Sequence, residues 1–242
     1  MKTTSLVLSR AFVLVSVALL SGCATGYKPI QLDASFWQDR QSVVGVVTEK
    51  IPDPAAQMTG GQGLLDVAIN QSNAGPMVDQ LKRLDVKRAA AISENLAKGL
   101  SGRGIKVNKL ATIDVTKYPE FKPEVNRELY ASRNFQELKG QGIDRLLLVS
   151  VVNIGTVRPY YGFIPMGPPR AAFTVKGQLV DLKDNKLLWY NTHSATAVIG
   201  EPWDQAPDFP NLSAAVLKNL SDGAVLFERS FFTTPTSSAP AK

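Results

Sequence analysis

Apolar runs bounded by breaker residues divide the chain into five predicted strands and three predicted helices. Ser42–Thr48 is β-branched and apolar and stops before Pro52 and Pro54, the signature of a buried strand. Leu146–Ile154 is the most apolar run after the N-terminal segment and is expected to be the central strand. Ala171–Leu182 and Lys186–Ile199 form two more, joined through Asp184-Asn185, a pair that favours a hairpin turn. Ile105–Leu110 alternates apolar and polar residues with the period of a half-buried strand.

The helical period appears from Pro76 onward. Val78, Leu81, Ala89, Ile92, Leu96 and Leu100 fall on one face, Lys82, Lys87, Glu94 and Lys98 lie mostly outside it, and Gly102 and Gly104 end the helix. A second helix is expected within Glu124–Lys139, its last part capped by Asn134 and stopped at Gly140. A third, opened by Pro210 and Asn211, runs from about Leu212 to Phe227 on Leu212, Val216, Leu220, Ala224 and Phe227. Ala55–Gly75, rich in Gly, Gln and Asn, reads as a long loop with at most one helical turn at Leu64–Ile69.

The order strand-helix-strand-helix-strand-strand-strand-helix predicts an α/β (α+β) domain, with helices packed on a mixed five-stranded sheet. The early strands should be parallel, because a crossover needs a helix, and the later ones antiparallel. Residues 41–232 form this single domain. Residues 23–40 read as a tether on which Phe36 and Trp37 can pack against the domain edge. Residues 233–242 are Thr, Ser, Pro and Ala with a terminal Lys, too polar to offset their ordering entropy, and read as a disordered tail.

The first twenty-two residues have a different build. Lys2 and Arg10 are not balanced by any acid, the apolar run Ala11–Leu20 follows, and the small residues Ser21 and Gly22 end the segment. The run is too short for the roughly twenty residues that a membrane-spanning helix needs, so residues 1–22 read as a cleaved signal. Leu20-Ser21-Gly22-Cys23 resembles the lipobox of bacterial lipoproteins. The resemblance implies acylation of Cys23 on its sulfur and amine, and an N-terminal lipid anchor on a periplasm-facing chain. In that family the residue after the Cys influences sorting; Ala24, unlike Asp, resembles the pattern sent to the outer membrane, with inner-membrane retention left open.

Gly142-Ile143-Asp144 leading into Leu146–Val152, and Gly177–Asp181 followed by Lys186-Leu187-Leu188-Trp189, form a helix-to-strand junction and a strand-Asp-turn-Leu-Trp hairpin. These segments resemble the periplasmic α/β domain of the curli secretion lipoprotein, the penicillin-binding-protein activator lipoproteins and the amino-terminal domain of the Tol-Pal translocation protein. The resemblance spans about Ser42–Phe232 and is structural; fold analogy does not assign function.

Charge narrows the functional classes. The formal net charge is +6, or +4 once Lys2 and Arg10 leave with the signal, and the bases are scattered among acids, as in Lys82-Arg83 beside Asp85. A nucleic-acid interface would need a basic stripe with interleaved aromatics, so none is expected. The single Cys, at position 23, rules out an intrachain disulfide.

His193 is the sole histidine, sits in a predicted strand and has no Gly-x-Ser-x-Gly turn to serve. With Cys23 acylated, no clustered ligand set suggests a metal, so neither a metal nor a cofactor is expected. Gly60, Gly61 and Gly63 hint at a phosphate-binding turn, but Asp66 occupies the third glycine position and no helix is expected to start directly after them.

The most unusual stretch is Arg158–Arg170, which links two strands and is dense in Pro, Gly and aromatics. Its ordinary reading is a rigid connection with aromatics folded back on the core. Its functional reading is a preorganised tip in which Tyr160, Tyr161, Phe163 and Met166 offer apolar area to a partner chain, an oligomer neighbour or a membrane. Glu201–Pro210 adds Trp203, either as a lid on the sheet edge or on a neighbouring surface. The expectation is a non-catalytic envelope lipoprotein, an assembly subunit or activator that binds another envelope protein or its own copies. The alternative is a small-molecule or glycan-binding lipoprotein whose cleft is lined by Ala55–Gly75, Tyr160, Tyr161 and Trp203.

Overall fold

A computed structural model describes residues 27–233. The expected signal, the expected acylation site Cys23 and the expected tail beyond Thr233 lie outside the described residues. The architecture is the expected mixed α/β one, with the sheet enlarged from five strands to seven. Five of them follow the order β3-β1-β4-β6-β7, where β1 is Val43–Thr48, β3 Lys106–Lys109, β4 Arg145–Tyr161, β6 Arg170–Asp181 and β7 Leu187–Val198. Two short strands, β2 (Ala55–Thr59) and β5 (Ile164–Pro165), pair only with β4. The β3-β1-β4 pairs are parallel and β4-β6-β7 antiparallel, as the connection lengths require.

β4 is the spine, central as its apolar run predicts but continued to Tyr161. β1 pairs with its first residues, β2 with Gly155–Pro159, and β6 runs along nearly its whole length. At Gly155, φ is 138°, and a side chain there would collide with the main chain of Ala55, so only glycine lets β2 dock.

Helices α3 (Lys87–Gly102) and α4 (Pro210–Phe232) cover one face. Ile92, Leu96 and Leu100 of α3 and Leu212, Leu220 and Phe227 of α4 are buried against Val149, Phe173, Val175 and Trp189 of the sheet. Arg88 and Glu228 join the two helices through a 2.7 Å ion pair that Asn95 also reaches at 3.2 Å. Gly177 has no side chain because Trp189 and Phe227 fill its space: a Cβ there would lie 2.5 Å and 2.6 Å from their rings.

Several local expectations are corrected. Ala55–Gly75 is not a loop but β2 followed by α1 (Leu64–Asn73), which starts immediately after Gly63. The helix expected from Pro76 is two, α2 (Gly75–Lys82) and α3, parted where the Asp85 carboxylate accepts the Lys87 main-chain N–H at 3.0 Å. The region 124–139 has no α-helix, only 3-10 turns at Arg127–Leu129 and Gln136–Gln141. Asn126 there adopts φ 54°, and the segment spends its main-chain groups on long-range partners rather than on a helix. Asn134 does accept from Gln136 N at 3.0 Å, but at the start of a 3-10 turn.

That irregular segment closes the second face over the first half of the sheet, where Ala131, Phe135 and Leu138 bury Leu146, Leu148, Val180 and Leu187. Its fastener is Asn185 in the β6–β7 turn, fully buried. The Asn185 side chain accepts from Phe135 N at 3.0 Å and donates to the carbonyls of Ala131 at 3.1 Å and Arg133 at 2.8 Å.

The expected tether is, from Tyr27 on, part of the domain. Ile30 exchanges two main-chain hydrogen bonds with Tyr190 of β7, and Phe36 is buried in the core. Asp39 holds Arg145 at 2.8 Å and accepts from Gln41 N, Ser42 N and Ser42 Oγ. These hydrogen bonds, Ser42 foremost, hold the Asp39 carboxyl well below the usual carboxylate range, with Arg145 adding a smaller share.

Candidate functional site: the distal tip of the sheet

β4 outruns the layer that covers its first half and ends in a small hairpin. Tyr160 pairs with Pro165 and Tyr161 with Ile164, leaving Gly162 and Phe163 as the turn. Gly162 has φ 59°, which glycine adopts without strain. The hairpin is fixed from three sides. Arg158 Nε donates to Gly167 O at 2.7 Å and Met166 N to Pro159 O at 2.9 Å across its base. Gly162 N donates to Gly61 O at 2.8 Å, and Asn70 Nδ2 of α1 donates to Gly162 O at 3.1 Å.

This rigid turn carries its large side chains outward. Tyr161 is 74% exposed, Phe163 59%, Ile164 52% and Met166 64%. Helix α1, whose Asn70 grips the turn, adds exposed Leu64, Leu65 and Ile69 at the same end. From Pro159 to Pro169 no residue is charged; Arg158 and Arg170 flank the stretch. Isolated monomers seldom leave large contiguous apolar patches open to solvent.

Two of the sequence-predicted tip residues do not belong to that surface. Tyr160 is buried: along a strand successive side chains face opposite ways, so with Tyr161 outward Tyr160 points to the core. Trp203 is half-buried, packed against the main core, with the Arg158 guanidinium 4.8 Å from its ring centroid and 5.7 Å from that of Tyr160. Together they brace the base of the hairpin rather than face a partner. Phe209, beyond Trp203, is buried as well. Leu64, Leu65 and Ile164 join the surface beyond the sequence expectation; an apolar Leu-Leu pair inside a polar, Gly-rich stretch is the signal that marks the first two.

The glycine turn is not a phosphate cradle even though α1 follows it directly. The helix start is capped by its own Asp66, whose carboxylate accepts from Gly63 N at 2.8 Å. His193 is half-buried against α4 near Gly223, its Nε2 buried and without a hydrogen-bond partner. Among the described residues no group of three or more His, Cys, Asp or Glu is placed to hold a metal ion.

Two clefts open elsewhere. One, of about 430 Å³, lies at the ends of β1 and β3 beside α3, where the Thr48 and Ser93 hydroxyls satisfy each other at 2.6 Å instead of converging on a ligand. The other, near Arg103 and Phe232, sits by the end of α4. Neither of these two is lined by Tyr160, Tyr161, Trp203 or residues 55–75. No helix among the described residues is long and apolar enough to cross a membrane.

No family model matches the chain, and no curated protein matches it. Solved structures with a similar fold include the PelC dodecamer of Paraburkholderia phytofirmans, at 13% identity, 80% of this chain, 95% of that one and a TM-score of 0.31. Lipoprotein GNA1162 of Neisseria meningitidis overlaps at 15% identity, 75% of this chain, 99% of that one and 0.28. A minor lipoprotein of Acinetobacter baumannii overlaps at 10% identity, 78% of this chain, 90% of that one and 0.26. Overlaps of this order leave function to be read from the site itself.

Proposed function

We propose that this chain is a non-catalytic cell-envelope lipoprotein, anchored through acyl chains on Cys23, that serves as an assembly subunit or activator by presenting its distal tip to another envelope protein. The observation that carries the reading is the uncharged, rigidly held hairpin with Tyr161, Phe163, Ile164 and Met166 each more than half exposed. Aromatic and Met side chains of this kind are enriched at protein interfaces, and a turn already fixed by its own hydrogen bonds loses little further entropy on docking.

The spacing of anchor and tip supports a partner beyond the anchoring surface. Tyr27 stacks on Tyr190, which is level, through Gln178 of β6, with Leu148 of β4. From Leu148 to Tyr161 the strand advances about 40 Å at ~3.3 Å per residue. Cys23, four positions before Tyr27, lies within about 14 Å of it by covalent reach. The tip is thus carried past the reach of the anchored segment. Several acyl chains make attachment effectively permanent, where a single one gives only marginal binding, and Ala24 after the acylated Cys favours the outer membrane, with the domain in the periplasm.

The test is the size of the native complex that the full chain forms in detergent-solubilised envelopes. Wild type should migrate as a complex larger than its own oligomer. The variant Tyr161→Ser, Phe163→Ser, Ile164→Ser, Met166→Ser should be expressed and folded but shift to the smaller species. Equal sizes for the two would overturn the reading.

A further inference from the structure

β7 is an edge strand, and its outer side is open over most of its length. Ile30 N donates to Tyr190 O at 2.8 Å and Tyr190 N to Ile30 O at 3.0 Å, so the main-chain groups of Tyr190 point away from β6. By the two-residue period, those of Thr192, Ser194, Thr196 and Val198 point the same way, because no bulge interrupts the β6–β7 register there. Among the described residues none of these four has a main-chain partner on that side, and all four are exposed.

Edge strands are normally blunted by charge, proline, bulges or shortness. β3, at the opposite edge, follows this rule: it spans Lys106–Lys109, with a Lys at each end. β7 from Asn191 to Val198 follows none of it, carrying no Lys, Arg, Asp, Glu or Pro. Ile30 already shows that this edge accepts an antiparallel segment at Tyr190.

We infer that the open half of β7 pairs with β7 of a second copy of this chain, antiparallel about a two-fold axis at Ala195, joining two sheets into one. Symmetry is the reason for this occupant. In a two-fold pair the strand faces itself, so any charged side chain near the axis would approach its own sign; this strand has none. The register sets Ser194 opposite Thr196 and Thr192 opposite Val198, hydroxyl and β-branched pairs that suit cross-strand contact. An isologous two-fold contact is also the commonest form of homo-oligomer. The edge is separate from the tip, so the two readings stand or fall independently.

Residues 24–242 contain every described element of the fold and, with Cys23 absent, no thiol. Light scattering on this chain should give twice the monomer mass. Mixing the single variants Ser194→Cys and Thr196→Cys under mild oxidation should yield mainly the mixed disulfide dimer, several-fold over either homodimer. Ser194→Lys with Thr196→Lys should be monomeric with unchanged circular dichroism and melting temperature, while the four-residue tip variant should remain dimeric. A monomeric wild type, a dimer that survives the Lys substitutions, equal cross-linking in all combinations, or cross-linking to a thiol placed in β2 would each overturn the inference.

Discussion

The two ends of β4 are built on opposite terms. At its first residues, Leu146 and Leu148 are buried on one face by the irregular segment around Phe135, while Leu147 and Val149 are buried on the other with α3 and α4. Buried Asn185 and the Asp39–Arg145 pair fasten that end. At its last residues the covering layers stop, and the chain invests its hydrogen bonds in holding a turn whose large apolar side chains touch little of the protein. Burial at the first end makes the fold, whereas order without burial at the second makes a surface. Substitutions at the first should therefore cost stability, and those at the second should cost association.

The largest expected loss is at Phe36. If the segment before β1 belongs to the domain, Phe36→Ala removes a buried ring that packs edge-on to Trp37 and Phe231, and chemical denaturation should show a loss of about 4 kcal/mol. A loss near zero would return the segment to a tether. Asn185→Ala should follow, at about 3 kcal/mol, because it orphans Phe135 N and the carbonyls of Ala131 and Arg133 beneath a covering layer. At ~2–4 °C per kcal/mol for a domain of this size, thermal melting should fall by about 6–12 °C.

A smaller effect depends on pH. The Asp39 carboxyl is held below its unfolded value of 3.8, so its contribution is full above that value and is lost as pH falls through and below it. Asp39→Asn should lower stability at neutral pH and reduce the fall in melting temperature between about pH 5 and about pH 2. The smallest expected effect on stability is at the tip, where Tyr161→Ser, Phe163→Ser and Met166→Ser should each change unfolding free energy by no more than about 0.5 kcal/mol, the range for exposed positions.

The same contrast explains what was legible in the sequence. β1, β4, β6, β7 and α4 announce themselves because their apolar residues are buried by neighbours that impose a clear period. β2, Ala-Ala-Gln-Met-Thr, does not, since it is a short edge segment whose place is set by Gly155 across the sheet. The 124–139 region has helical composition, but Asn126 at φ 54° and the bonds to Asn185 draw its main chain into turns, a tertiary outcome that local pattern does not encode. At the tip, the density of Pro, Gly and aromatics identified the hairpin. Sorting Tyr160 inward from Tyr161 outward needed the strand to be known to continue that far. Leu64 and Leu65 join the surface only because Asn70 docks α1 on the turn.

The most direct test sets the two ends against each other in the living envelope. A photo-reactive phenylalanine analogue would replace Phe163 at the tip or the exposed Lys183 beside the β6–β7 turn in the full chain, with irradiation of intact cells. The account predicts a discrete adduct with another protein from position 163 and none from position 183. Adducts of equal yield from both positions, or adducts at 163 with lipid alone, would contradict it.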